Sequence, residues 1–407
     1  MRLLGASLVL TCGGGADGVL RDGGILIDDG RIKSVGDFRA LKEQYGHCDS
    51  VFYKDHIILP AFINSHLHFE FSRASTKLNY GSFALWLDSV MKHRDSIFQD
   101  SDNDIKQEVL LQKKCGVGTV CAISSYDNDI DLLLKSNLRV IFCHEVLGAN
   151  SDDFENQVLS ISSRLERSLG LRSSLFQPGL AIHSPYSVHP RLASYVIDLA
   201  TKYNLLVSTH FLESKEECEW LESKSGYFAN FYEKTIQLST PPHFGKTDFL
   251  SLFEGVRAIF AHCLYADSDF KHEILKKGHI VSAPRSNLLL NGKMGDNEII
   301  STDSRGSNSN TNILDELRCA LFSTIAHAGH SNSCDLESIS RSMLQAITSR
   351  PAKALGLNNG ILEEGRDADI AVFGFDCDDV GQIATNFILR ASEATALFVN
   401  GVDILHA

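Results

Sequence analysis

Paired cysteines, long apolar runs and an excess of basic residues are all missing from this chain of 407 residues. Its ten cysteines are scattered without a C-x-x-C pair, which argues against a disulfide framework and indicates free thiols in a reducing compartment. No apolar stretch reaches the roughly 18–20 residues of a membrane-spanning helix. The 38 Lys and Arg face 51 Asp and Glu, a net charge of −13, so nucleic acid and anionic membranes are not expected as main partners.

The remaining composition is that of an ordinary globular protein, with 43% hydrophobic and 22% charged residues. The length exceeds that of one small domain and fits a large barrel, alone or with a smaller partner domain. The apolar run that ends at Cys12 is too short for an export signal and lacks a small-residue cleavage pattern. We therefore expect a cytoplasmic protein.

Short apolar runs alternate with helix-length amphipathic stretches after about residue 58. Eight such runs are candidate strands: residues 57–59, 117–120, 140–142, 179–182, 205–208, 258–261, 279–282 and 298–300. Repeated strand-then-helix units imply parallel strands with right-handed crossovers, and eight of them predict a (β/α)8 barrel.

Both ends of the chain have a different pattern, of short strands and turns. Residues 24–32 read as two strands joined by an Asp-Gly hairpin turn, and residues 395–401 read as a strand that ends in Asn-Gly. We therefore predict an α/β protein in which a TIM barrel carries a small β-sandwich domain built from both termini. The expected division is 1–57 and 355–407 for the β-sandwich and 58–354 for the catalytic barrel.

Polar residues terminate several of the predicted barrel strands, which is where barrel enzymes place their chemistry. His66 and His68 are two positions apart on the first strand, so both can face one point. Further strand ends carry His183, His210 with Glu213, His262, and Asp303. Three imidazoles and one carboxylate suit Zn²⁺ or Fe²⁺, with an open position for a water of lowered pKa.

These strand ends also resemble a known family. Residues 59–68, LPAFINSHLH, resemble the first-strand signature of the amidohydrolase superfamily, with Ala61 in place of the common glycine. Residues 301–304, STDS, resemble its eighth-strand signature, and residues 364–369, EGRDAD, resemble the G-x-x-A-D element of its β-sandwich. The resemblance covers essentially the whole chain and implies the small β domain as well.

Within the superfamily, the His-x-x-Glu of His210 and Glu213 resembles the cytosine-deaminase-like and adenosine-type deaminases. His183 stands where binuclear members carry a carboxylated lysine, which implies a single metal ion. The resemblance implies four metal ligands and a contact from His262 to the metal-bound water. The implied ligands are His66, His68, His210 and Asp303.

The stretches around these residues most resemble the 6-aminodeoxyfutalosine deaminases, which act on an adenine ring in the futalosine route to menaquinone. Residues 66–72, 80–83, 183–188, 208–214 and 371–375 carry this resemblance. It implies a small-molecule substrate, a 6-aminopurine nucleoside.

The chemistry of amidine hydrolysis assigns roles to three of these side chains. Adenine C6 is a poor electrophile until N1 is protonated, and Glu213 is placed to shuttle that proton. Asp303 can accept the water proton and later help to protonate the departing ammonia. His262 would orient the water or stabilise developing charge.

Other residues are candidate substrate contacts. His183 and Trp86 are expected to contact the nucleoside. Leu85 occupies the place of an acidic residue that holds ribose hydroxyls in related deaminases, so Glu70 is the substitute candidate. A substrate carboxylate would need an arginine, and the candidates are Arg73, Arg285 and Arg305.

Several alternatives stay open. His144 and Glu145, at the third strand end, are undecided, and Ser286, Asn287, Ser307 and Asn308 are expected to order the mouth. The same scaffold could act on adenosine, methylthioadenosine, S-adenosylhomocysteine, guanine or a chloro-triazine, or be a non-catalytic binding barrel. A homodimer is possible, since dimers are the commonest soluble oligomers.

Overall fold

Two seven-stranded sheets form the framework of the molecule, one of them built from both ends of the chain. The structure is a computed structural model, and it describes residues 1–13, 18–74, 77–99, 101–328, 335–376 and 380–406. The strands are β1 Arg2–Leu10, β2 Val19–Asp28, β3 Arg31–Asp37, β4 Asp49–Pro60, β5 Phe62–Leu67, β6 Val117–Ser124, β7 Arg139–Val146, β8 Phe176–Ile182, β9 Leu206–Phe211, β10 Arg257–His262, β11 Gly278–Val281, β12 Ile370–Gly374, β13 Ala394–Val399 and β14 Val402–Asp403.

Helices connect and cover these strands. The α-helices are α1 Phe38–Gln44, α2 Phe83–Phe98, α3 Asp102–Lys114, α4 Ile130–Leu134, α5 Phe154–Leu169, α6 Pro190–Tyr203, α7 Lys215–Ser223, α8 Tyr227–Asn230, α9 Lys246–Ser251, α10 Ser268–Lys277, α11 Pro284–Asn291, α12 Ile313–Ala328, α13 Leu336–Gln345, α14 Ser349–Leu355 and α15 Ile383–Arg390. Short 3₁₀ helices span Phe69–Ala74, Ser151–Asp153 and Val380–Gln382, and a π-helical turn spans Phe231–Ile236. Within the described ranges, no helix has the length and apolarity needed to span a bilayer.

The barrel sheet runs from β5 to β11 in chain order, and every pairing in it is parallel. Its interior is filled by alternate strand residues such as Ile123, Ile141 and Ile259, all at most 3% exposed. An irregular segment completes the ring: Ser282 pairs with Ile300 in a single bridge, and the Asp303 amide donates to the His66 carbonyl at 3.1 Å. The fold is therefore the predicted TIM-barrel architecture, nearly closed.

Two of the eight predicted barrel strands need correction. Residues 57–59 belong to β4, which pairs with β12 in the terminal sheet, and the first barrel strand is β5. Residues 298–300 form only the bridge at Ile300, because the chain must turn at Asp303, whose φ is 57°. The other six runs overlap β6 to β11.

The terminal sheet has the strand order β14-β13-β12-β4-β1-β2-β3, so chain from both ends interleaves in it. The turn between β2 and β3 holds Asp29 and Gly30 at positive φ, as an Asp-Gly hairpin requires. A side chain at Gly30 would lie 3.2 Å from the Asn400 carbonyl oxygen. The opposite ends of the sheet therefore touch, and the sheet encloses its own core.

Aromatic and ionic contacts fasten this sheet to the barrel. Phe62 of β5 stacks on Phe373 of β12 with ring centroids 5.7 Å apart, and burial of each such ring contributes about 1.5–3 kcal/mol. Arg139 of β7 donates to Asp369 at 2.8 Å and to Asn400 at 2.6 Å. Asp369 is the last residue of the 364–369 motif, which thus helps to hold the terminal sheet on the barrel.

Candidate active site

Three imidazoles and one carboxylate converge at the carboxyl ends of the barrel strands. His66 is the last residue but one of β5, His68 follows that strand, and His210 lies in β9. The Nε2 atom of His68 is 3.2 Å from the Nε2 atoms of both His66 and His210, and the Asp303 Oδ1 is 3.7 Å from His68 Nε2 and 3.9 Å from His66 Nε2. All four side chains are buried.

This spacing fits a metal ion. Ligand atoms about 2.05 Å from a tetrahedral zinc lie about 3.3 Å from one another, close to the separations found here. The His210 Nδ1 lies 2.8 Å from the His183 carbonyl oxygen, which can accept only from a protonated nitrogen. The His210 Nε2 therefore carries a free lone pair, as a metal ligand must.

The protonation of the histidines also suits cation binding. Burial lowers the pKa of His68 to about 4, with Asp303 opposing this change. Burial, together with the neighbouring imidazoles, lowers the pKa of His66 and of His210 well below the usual value. The three rings are thus neutral near pH 7, and such a cluster of donors is the arrangement that can hold a divalent cation.

Asp303 is fixed by two hydroxyl groups. Ser286 and Ser307 each donate to its Oδ2 at 2.7 Å, while Oδ1 faces the histidines. The two serines were expected to order the mouth, and their actual partner is this carboxylate. Although burial alone would raise it, the pKa of Asp303 is lowered by His262, His66 and His68.

Glu213 and His262 lie on the other side of Asp303. The Nε2 of His262 is 3.7 Å from Glu213 Oε1 and 4.0 Å from Asp303 Oδ2, and it has no hydrogen-bond partner. Burial lowers the pKa of His262, but Glu213 and Asp303 outweigh it, so the pKa is raised overall. Its Nδ1 contacts the Asn287 Oδ1 at 2.8 Å, which sets the orientation of the ring.

Glu213 lies in a buried environment that favours its protonated form. Burial raises its pKa to about 7, with His262 opposing and Asp303 reinforcing the change. The backbone amides of Leu212 and Glu213 donate to the carboxylate of Glu217, and Ser214 caps α7 by accepting from the Glu217 amide. This cap fixes the turn that presents Glu213 to the site.

A cavity of about 340 Å³ opens above these groups, a volume within the range of small-molecule sites. His183 and Trp86 both line it, next to the catalytic candidates. The His183 Nδ1 is 2.6 Å from the Ser187 hydroxyl, and the Trp86 indole N–H donates to the Gly306 carbonyl at 2.8 Å. Trp86 therefore offers the cavity an apolar ring.

Glu70 is buried but does not line the cavity. Its carboxylate accepts from the backbone amides of Ser125 and Tyr126 at 2.7 and 2.8 Å and from the Ser124 hydroxyl at 3.0 Å. These bonds hold the loop after β6, whose residues Ser125 and Tyr126 do line the cavity. Glu70 thus positions part of the wall.

The three arginines singled out in the sequence also lie outside the cavity lining. Arg73 donates to the Gln99 carbonyl at 2.6 Å. Arg285 donates to Glu316 at 2.8 Å, and Arg305 lies 3.7 Å from the buried Glu108. These contacts give Arg285 and Arg305 structural partners.

The structure separates the two residues that the sequence left undecided. His144 is fully buried between Asp127, at 2.9 Å, and Ser168, at 2.7 Å. Glu145 lines the cavity: its Oε2 accepts from the Ser125 hydroxyl at 2.5 Å, and its buried Oε1 has no hydrogen-bond partner and lies 3.9 Å from the His210 Nδ1. Burial raises the pKa of Glu145 to about 8.

One wall of the cavity had no sequence signal. Helix α2 lines it with side chains on a single face, at i, i+4, i+8 and neighbouring positions. These are Trp86, Leu87, Val90, Met91, Arg94 and Phe98. Amphipathic helices of this kind surround any (β/α)8 barrel, so the sequence does not distinguish α2 from the others. Only its position in the structure shows that it forms a cavity wall.

Comparisons with known proteins agree with this geometry. Residues 57–402 match the family model described as Amidohydrolase family. Adenosine deaminase of Helicobacter pylori is 34% identical over 421 aligned positions, covering 99% of both chains, and aminodeoxyfutalosine deaminase of Nitratiruptor sp. is 31% identical over 95% of this chain and 96% of that one.

A solved structure is similar over its full length. Helicobacter pylori aminofutalosine deaminase in complex with methylthio-coformycin superposes with a TM-score of 0.92 at 34% identity, covering 99% of this chain and 100% of that chain. The resemblance inferred from the strand-end motifs is therefore confirmed, and the chain belongs to the amidohydrolase family, whose members are hydrolytic enzymes.

Proposed function

We propose that this chain removes the 6-amino group from the adenine ring of 6-aminodeoxyfutalosine by hydrolysis, releasing ammonia and futalosine for menaquinone biosynthesis. The observation that carries the proposal is the convergence of three histidine Nε2 atoms and Asp303 beside the buried Glu213, in one cavity. Relatives named aminodeoxyfutalosine deaminase and adenosine deaminase, each similar over nearly the whole chain, support it.

We propose that His66, His68, His210 and Asp303 hold one divalent cation, Zn²⁺ or Fe²⁺, since imidazole and carboxylate ligands accept both. When bound, the cation supplies Lewis acidity that lowers the pKa of a water molecule. The His183 carbonyl oxygen holds the His210 Nδ1, and Ser286 and Ser307 hold the Asp303 carboxylate. These contacts keep the ligand atoms in place for the cation.

Glu213 is the proposed proton carrier to purine N1. With a pKa of about 7 it exchanges a proton easily near neutral pH. Protonation at N1 draws electrons from C6, so water oxygen adds there. Asp303 takes the first proton that this water loses and passes it to the amino group, which leaves as ammonia when the C6–N bond breaks. The C6 hydroxyl then becomes the carbonyl, and its proton returns to Glu213, which replaces the proton given to N1.

His262 and the cavity wall complete the proposal. His262 is oriented by Asn287, and its partnerless Nε2 faces Glu213 and Asp303, where it can orient the water. His183 and Trp86 are proposed to contact the nucleoside. For the ribose hydroxyls the geometry favours Glu145, whose Oε1 is buried and unpaired, over Glu70, whose oxygens are occupied.

The test compares purified enzyme on aminodeoxyfutalosine, methylthioadenosine and adenosine, with ammonia release and loss of the adenine absorbance band as readouts. We expect the highest kcat/KM with aminodeoxyfutalosine and about one metal ion per chain by elemental analysis. Protein stripped by a chelator should be inactive, and reloading with zinc or ferrous iron identifies the competent ion.

The second candidate is deamination of another purine nucleoside, which the relative named adenosine deaminase favours. A higher kcat/KM on adenosine or methylthioadenosine would support it. A protein without stoichiometric metal and without turnover on any substrate would contradict both and indicate a non-catalytic barrel.

A further inference from the structure

Arg94 is the one arginine or lysine among the described residues that line the cavity. It lies on the lining face of α2, two turns beyond Trp86, a rise of about 12 Å along the helix axis. Its guanidinium donates a hydrogen bond to the Tyr126 hydroxyl. Arg94 is exposed, so it stands at the open end of the cavity.

A row of aromatic rings leads from the histidine cluster to this guanidinium. Ring centroids are 6.1 Å apart between His68 and Phe71, 4.9 Å between Phe71 and Phe98, and 5.1 Å between Phe98 and Tyr126. The guanidinium carbon of Arg94 is 5.8 Å from the centre of the Tyr126 ring. The wall is thus apolar and aromatic along its length and carries positive charge at its end.

The carboxyl groups that line the cavity, those of Glu145, Glu213 and Asp303, lie near the histidines. Arg94 lies at the other end, where its guanidinium attracts an anionic substituent. The charge therefore gives a substrate one direction, with its amino-bearing ring toward the histidines. Arginine is well suited to this role, because its guanidinium can bind a carboxylate through two parallel hydrogen bonds.

We infer that Arg94 determines substrate specificity by binding an anionic group at the far end of a planar, apolar arm on the nucleoside. The inference rests on the proposed function and adds the residue that selects 6-aminopurine nucleosides whose 5′ substituent ends in a carboxylate. Arg94 takes the place of Arg73, Arg285 and Arg305 as the carboxylate contact. It is remote from the reacting atoms, so it acts on KM rather than on kcat.

The experiment measures kcat and KM on aminodeoxyfutalosine, its methyl ester, and methylthioadenosine. Loss of a charge-assisted hydrogen bond in Arg94→Met should lower kcat/KM for the carboxylate about 10- to 100-fold, mainly through KM. The ester and methylthioadenosine should change less than about twofold, because neither presents the charge. Arg94→Lys should recover part of the loss, since lysine restores the charge without the planar fork.

Lys92→Met is the matched control, because Lys92 is exposed on the same helix but outside the cavity lining. It removes the same charge and should leave all three substrates unchanged. An unchanged preference for carboxylate over ester in Arg94→Met overturns the role of Arg94 while leaving deamination intact. A wild-type enzyme that turns over none of the three nucleosides overturns the proposed function itself, and the inference with it.

Discussion

Replacing Glu213 by glutamine separates proton transfer from metal binding. The residue is 6% exposed, and its Oε1 lies 3.7 Å from the His262 Nε2. Glutamine has the same shape but cannot give or take a proton at this pH. Because general acid–base groups contribute about 10²–10⁴-fold, we expect kcat to fall by that factor, or about 3–5 kcal/mol in activation free energy.

The assay pairs steady-state kinetics with metal analysis. Glu213 is outside the group formed by His66, His68 and Asp303 that could hold a metal ion, so Glu213→Gln should keep its metal. Glu216→Gln is the control, because Glu216 is a half-buried neighbour that does not line the cavity. It should retain wild-type kcat.

Two results would refute this reasoning. Wild-type kcat in metal-replete Glu213→Gln would remove Glu213 from the chemistry. Loss of the metal together with activity would show that the carboxylate stabilises the metal site and would leave no basis for a separate role in proton transfer.

Three further predictions address the supports of the site and of the fold. Ser286→Ala removes one of the two donors to Asp303 and should weaken metal affinity about 10- to 100-fold, measured by competition with a chromogenic chelator. Arg139→Met leaves the buried Asp369 without its cation and should lower the free energy of unfolding by about 3–5 kcal/mol in urea. Burial raises the pKa of Glu108 from 4.5 to about 7, so the folded state binds more protons between these values and stability falls as pH rises. Between pH 5.5 and 8 this loss is about 2 kcal/mol, and Glu108→Gln should abolish it in urea unfolding at the two pH values.

Each of these has a control on the same chain. Ser309→Ala changes a loop serine that accepts from Arg285, and metal affinity should stay unchanged. Arg167→Met breaks an exposed pair with Asp131 and should cost less than about 1 kcal/mol. Glu166 is exposed, so Glu166→Gln should leave the pH dependence as in the wild type. Equal effects in a variant and its control would contradict the corresponding prediction.

The architecture was predictable because strand and helix periods alternate clearly after residue 60. The position of the first barrel strand was not, because β4 and β5 form one almost continuous apolar stretch from residue 57 to residue 63. The chain changes sheets at Ala61, whose amide donates to the Asp369 carbonyl at 3.0 Å. That partner is about 300 residues away, so no local pattern could indicate the change.

The site residues could be predicted where their spacing along the chain shows that they share a face. They could not be predicted where only the register of the strand decides which side chain faces inward. Two histidines two positions apart at a strand end are expected to point in the same direction, and the structure brings them together. For His144 and Glu145 the question was which of them faces inward. The preceding residues of β7 are apolar and buried on both faces of the sheet, so the sequence does not show which of two neighbouring residues faces the barrel interior. Only the packing of Ile141 and Cys143 in the barrel interior places Glu145 on the inner side.

Backbone geometry at the strand ends shows how the reacting groups are held. Leu212, His262 and Asp303 have φ values of 49°, 72° and 57°, in the left-handed region that side chains other than glycine rarely adopt. Such conformations cost about 1–3 kcal/mol each and persist only where the surroundings determine them. Those surroundings are visible: Glu217 accepts from the Leu212 amide, Asn287 contacts His262, and Ser286 and Ser307 donate to Asp303. Because each strained residue has its own anchor, the side chains proposed to react are in position before a substrate arrives. Replacing one of these anchoring residues should therefore lower the enzyme's activity before it lowers the stability of the barrel.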